Sequence, residues 1–88
     1  MQSYQSLLKE FLMGRVYDYR TELQYSQERM AEALHISPRS YVDLEHGKYF
    51  FSASTFIFFL SVLPEEESLR LLKELREFIE RIEQNDSA

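Results

Sequence analysis

The 88-residue sequence contains no cysteine, which excludes a disulfide framework and any thiolate metal site. Its two histidines, His35 and His46, are eleven residues apart. That spacing does not set both on one short helical face, as a zinc pair requires, so neither a metal nor a cofactor is expected. No apolar run approaches the ~18 residues of a membrane span. The polar start, Met1 to Tyr4, lacks the basic-then-apolar order of a signal peptide, and a cytoplasmic protein is the expectation. A cysteine nucleophile, a glycine-rich phosphate loop and a Ser-His-acid arrangement are all missing, and paired carboxylates fall on polar helical faces. The chain therefore reads as a non-enzyme. With only two glycines and two prolines, breakers are few, which favours helices joined by short connections. Alternating strand patterns are absent outside the ambiguous aromatic run Tyr49 to Phe59. Bases are scarce too: ten against fifteen acids, a net charge of −5.

What is present is helical periodicity on the scale of one small domain, with a modest core and marginal stability. Leu7, Leu8, Phe11, Leu12 and Val16 form the i, i+3/i+4 stripe of a helix near 4–20, which Gly14 weakens without breaking. Ser26 is a good N-cap for a short helix, 27–34, with Met30, Ala31 and Leu34 inward. Ser37 caps the next, 38–45, with Pro38 at the first helical position. Gly47, free to take positive φ, ends it. Ser52 precedes a nearly apolar helix, 53–63, in which Phe56, Ile57, Phe59, Leu60 and Leu63 are expected to share a face, with Phe58 off it. Pro64 and the acids Glu65 to Glu67 open the last helix, 65–84, where acids suit the macrodipole. Gln84 to Ala88 is expected to fray. The fold class is all-α, with five helices and a long C-terminal one.

The stretch Gln27 to Gly47, QERMAEALHISPRSYVDLEHG, resembles the helix-turn-helix of the phage-repressor-like (Cro/repressor, XRE) family of DNA-binding domains. Ala31 stands at the fifth motif position, which the family keeps small because its two helices cross there. Leu34 and Ile36 flank the turn, Tyr41 and Leu44 point inward from the second helix, and Glu45-His46-Gly47 matches the family's Glu-x-Gly ending. Arg20 matches a helix-one arginine that pairs with that glutamate. Phe51-Ser52 stands where many members have Pro-Ser. The resemblance covers ~60 residues, from about Val16 to Leu63. His35 departs from it, replacing the usual turn glycine at a position that needs positive φ; so do the aromatic loop Tyr49 to Phe51, and Phe58.

The resemblance implies a helix-turn-helix core over 1–63 and a C-terminal amphipathic helix over 64–88. It implies double-stranded DNA as partner, with the second motif helix in the major groove and Ser37, Pro38, Arg39, Ser40 and Asp43 exposed there. Arg39 is the candidate for a bidentate contact to guanine. Ser40 suits a base or a phosphate; Asp43 either accepts from cytosine or repels phosphate. Gln27 and Lys48 are the candidate phosphate contacts, with Arg29 a weaker one. The residues Leu72, Leu75, Ile79 and Ile82 follow heptad steps, and with Phe78 they are the candidate dimer surface of a homodimeric transcriptional regulator. Tyr49, Phe50, Phe51 and Phe58 are more aromatics than one small core is expected to hold, so a partner surface is expected among them. Charge favours an alternative: a protein-interaction module, antirepressor-like or an accessory subunit, that keeps the fold without DNA. Residues 1–63 carry six bases and seven acids, and residues 64–88 four bases and eight acids, so the acidity concentrates away from the motif.

Overall fold

A computed structural model of the chain describes residues 3–87, with the side chains of 86 and 87 left aside. Five helices follow one another: α1 Tyr4–Glu22, α2 Gln27–Leu34, α3 Pro38–Glu45, α4 Ala53–Val62 and α5 Glu65–Ser87. Four of them begin in the same way. Ser3, Ser26, Ser37 and Ser52 each hold extended backbone, and each hydroxyl oxygen accepts from the backbone N–H three residues on. This satisfies a donor that the helix itself leaves unpaired.

The helix ends are set by left-handed residues. His35 takes φ 61 and ψ 38 at the end of α2, and Gly47 takes φ 76 after α3. Gln24, at φ 60, closes α1 in the same manner, which the sequence did not signal. α1 accordingly runs two residues past the expected 20, through Thr21 and Glu22. The Thr21 hydroxyl donates to the carbonyls of Tyr17 and Asp18, so this polar residue fits the last turn. α4 ends one residue early, at Val62, because Leu63 turns extended before Pro64. α5 runs to Ser87, three residues past the expected 84; Ala88 lies outside the described residues.

Val16 and Tyr19 of α1, Met30, Ala31 and Leu34 of α2, Tyr41 and Leu44 of α3, Phe59 and Leu63 at α4, and Leu71 of α5 form one buried cluster. Ala31 is fully buried where α2 meets α3 and α4. α5 runs antiparallel to α1: Phe78 stacks on Phe11 at 4.6 Å, Glu74 pairs with Arg15 at 2.7 Å, and the Tyr19 hydroxyl donates to Glu67 at 3.2 Å. The Ser68 hydroxyl donates to the Leu60 carbonyl at 2.6 Å, tying α5 to α4.

One expectation about a helix face needs correction. Ile57 does not join the buried face of α4; it is 62% exposed, and Thr55 is buried in its place. On α5 the buried leucine is Leu71, while Leu69, Leu72 and Ile79 remain exposed. Leu75 packs against the core, and Phe78 faces Phe11 within the same chain. The aromatic surplus is absorbed only in part, with Tyr49 40% exposed. Phe51 lies against Phe56 and Phe59, Phe50 is half-buried, and Tyr49 donates its hydroxyl to the Ser40 carbonyl. Phe58 stays 37% exposed, with its ring 4.3 Å from that of His35. No helix among the described residues is long and apolar enough to cross a membrane.

Candidate nucleic-acid interface

α2, the turn at His35 to Ser37, and α3 form a compact two-helix unit. The turn works because His35 accepts the left-handed conformation, for which histidine is among the more tolerant side chains. Its N–H donates to Glu32 and the next, of Ile36, to Ala31, so α2 ends with its last carbonyls satisfied. Ser37 then restarts the chain as the cap of α3.

The placement of α3 is fixed from below by Glu45. Its carboxylate takes a two-pronged bond from Arg20, Nε to Oε2 at 2.8 Å and Nη2 to Oε1 at 3.0 Å. It also accepts from Gln27 Nε2 at 3.1 Å and from the Tyr41 hydroxyl. Arg20 spends its remaining Nη1 on the Tyr25 carbonyl at 3.0 Å. One carboxylate thus joins α1, α2 and α3. Arg20 and Glu45 side chains are only 14% and 7% exposed, so the charges need these partners to be tolerated. Burial works to raise the Glu45 pKa, but the hydrogen bonds from Arg20, Tyr41 and Gln27 outweigh it and hold the carboxyl below its ordinary value. Burial, and then the bond to Glu45, push the Tyr41 hydroxyl well above the ordinary tyrosine range. The Arg20–Glu45 pair expected from the sequence is therefore present. Gln27 and Tyr41 are the members that sequence reading missed.

Above this anchor, α3 turns its other face outward. Pro38, Arg39, Val42, Asp43 and His46 line an open groove with Gln27, Glu28 and Lys48. Arg39 is exposed and, among the described residues, has no carboxylate or carbonyl partner. Ser37 uses its hydroxyl oxygen on the Ser40 N–H at 3.0 Å and donates its proton to the Ser40 hydroxyl at 2.9 Å. Of the two serines, Ser40 keeps its own hydroxyl hydrogen. Lys48 folds back onto Asp43, Nζ to Oδ1 at 3.3 Å, so the acid on this face is partly neutralised within the chain. Gln27 commits one amide hydrogen to Glu45, leaving one for any outside acceptor. Arg29 lies over the Tyr25 ring at 4.9 Å, outside the groove. Val42, overlooked in the sequence as one more apolar helix residue, stands on the groove wall beside Arg39 and Asp43.

The candidate dimer residues differ in exposure. Leu72 and Ile79 are exposed, Ile82 is half-buried, and Leu75 and Phe78 are turned toward their own chain.

A family model described as a helix-turn-helix domain matches residues 14–78. No curated protein and no solved structure matches the chain. The matched span starts inside α1 and ends inside α5, so it takes in the two-helix unit, the Glu45 anchor and the outward face of α3 together. The chain belongs to the helix-turn-helix domain family.

Proposed function

We propose that the protein is a sequence-specific DNA-binding transcriptional regulator of the phage-repressor-like kind, acting as a homodimer. The observation that carries this reading is the unpaired Arg39 on the outward face of a capped, rigidly anchored α3. In helix-turn-helix domains the second helix enters the major groove by its N-terminal part, where Arg39 and Ser40 stand. A guanidinium presents two parallel donors to guanine O6 and N7. Gln27, at the start of α2, offers its remaining amide hydrogen and nearby backbone N–H groups to phosphate. Lys48 is within reach of the same backbone, and its contact with Asp43 lowers the repulsion that this carboxylate exerts on phosphate. Ser37 and Pro38 set the start of the reading helix rather than reading bases themselves.

Titration of the chain into a random-sequence fluorescent duplex tests this. Affinity that falls steeply between about 50 and about 200 mM salt is expected, because each neutralised phosphate releases counterions. Absence of binding at the lower salt would instead favour the protein-interaction module, for which the net charge of −5 is the supporting observation. Once a site has been selected, Arg39→Ala should weaken it about tenfold or more and relax the choice of one base pair, since a bidentate contact is worth about 1–3 kcal/mol. Unchanged discrimination at every base pair would remove Arg39 from the reading.

A further inference from the structure

Val42 is an apolar side chain on the outward face of α3, on the groove wall between Arg39 and Asp43. It is half-buried, yet among the described residues it does not join the partly buried apolar side chains that pack on the core. The Glu45 network does not use it either: its bonds come from Arg20, Gln27 and Tyr41. In the major groove, only thymine presents an apolar group, its 5-methyl, to such a side chain.

We infer that Val42 is a specificity-determining residue that packs on a thymine methyl next to the guanine read by Arg39. This rests on the DNA-binding reading above. Arg39 and Val42 are i and i+3 on one helix, separated by about 4.5 Å along its axis, whereas successive base pairs are about 3.4 Å apart. The two side chains therefore address the same base pair step or its neighbour. The half-site holds a guanine with a thymine, on either strand, within two base pairs of it. The stiffness of valine at χ1 means that little rotamer freedom is lost on contact.

The test begins with duplexes selected from a random pool by the full chain, with the Arg39 guanine located through Arg39→Ala. Each thymine in the selected half-site is then replaced by deoxyuridine, which lacks only the 5-methyl. One position within two base pairs of that guanine should weaken binding about fourfold, the worth of one buried methyl group of about 0.8 kcal/mol. Val42→Ala should bind the thymine duplex about fourfold or more weakly and no longer respond to deoxyuridine at that position, with its helical circular dichroism unchanged. Three results would overturn the inference: a half-site with no thymine in that window, deoxyuridine without effect on the natural chain, or Val42→Ala as sensitive to deoxyuridine as the natural chain. Failure of the starting pool to bind at low salt overturns the DNA-binding reading and this inference together. That result is distinct from selective binding without a methyl effect.

Discussion

At the scale of single residues, Glu45 does more than any other side chain to define this molecule. It is 25 positions from Arg20 and 18 from Gln27 in sequence, yet one carboxylate collects both, together with Tyr41. Glu45→Gln leaves Arg20 as a buried cation without its counter-charge, and we expect a loss of about 3–5 kcal/mol, measured by urea denaturation. The pH dependence follows from the direction of the Glu45 shift. A carboxyl held below its unfolded value contributes stability that is fully present above the unfolded pKa, near 4.5. That contribution is lost as pH falls through the lower folded value. The melting temperature of the natural chain should therefore drop between about pH 5 and pH 3 more steeply than that of Glu45→Gln. Parallel curves would mean that the carboxylate carries no such linkage. Arg39, by contrast, has nothing to hold inside the chain, and its replacement should leave stability unchanged within about 0.5 kcal/mol.

Among the elements, the turn between α2 and α3 is where sequence and backbone are least matched. His35 holds φ 61 with a side chain, where glycine is the unstrained choice. The ring contact to Phe58 at 4.3 Å compensates, and it couples the turn to α4. His35→Val places a β-branched side chain in the left-handed region and removes that contact. We expect a loss of about 1–3 kcal/mol in chemical denaturation. His35→Gly relieves the backbone but gives up the ring contact and enlarges the unfolded ensemble. Its stability should lie within about 1 kcal/mol of the natural chain. A large gain on His35→Gly would show that the Phe58 contact contributes nothing. Gly47 is different in kind: its φ of 76 is joined by a neighbour, since an added Cβ would meet Met13 Sδ at 2.9 Å. A side chain there is opposed by the backbone, and Met13 would have to shift to admit it.

Over the whole molecule, charge and apolar surface are unevenly shared out. α5 carries most of the acid, and it packs on α4 and α1. The exposed apolar side chains Leu69, Leu72 and Ile79 lie on α5, and Ile57 and Phe58 on α4. The bond from Ser68 to Leu60 joins these two helices. An apolar surface of this sort marks a partner, and the homodimer proposed above supplies one through Leu72 and Ile79. Light scattering at micromolar concentration should then give about twice the 10.6 kDa of one chain. The double substitution Leu72→Glu with Ile79→Glu should give the single mass with helicity retained. It should also weaken a two-half-site duplex about a hundredfold, as the second half-site is no longer engaged by the same particle. A natural chain that stays at the single mass would remove the dimer from the reading.

What the sequence determined by itself is what acts over a few residues. The serine caps at 26, 37 and 52, Pro38 at the start of α3, Gly47 after it and Pro64 before α5 each bias the backbone within one turn, so element type and most boundaries follow from them. The small Ala31 and the Arg20–Glu45 pairing were legible as well, through the resemblance of spaced anchors rather than through local pattern. Tertiary structure decided which side of each helix is covered. Ile57 and Leu72 are as apolar as Phe59 and Leu71, and they stay exposed because a helix in a small domain meets neighbours on one side only. It also decided where polar side chains spend their hydrogen bonds. Gln27 reaches Glu45 and Phe58 covers His35 because folding brings distant positions within bonding reach, and no periodicity in the chain encodes that distance.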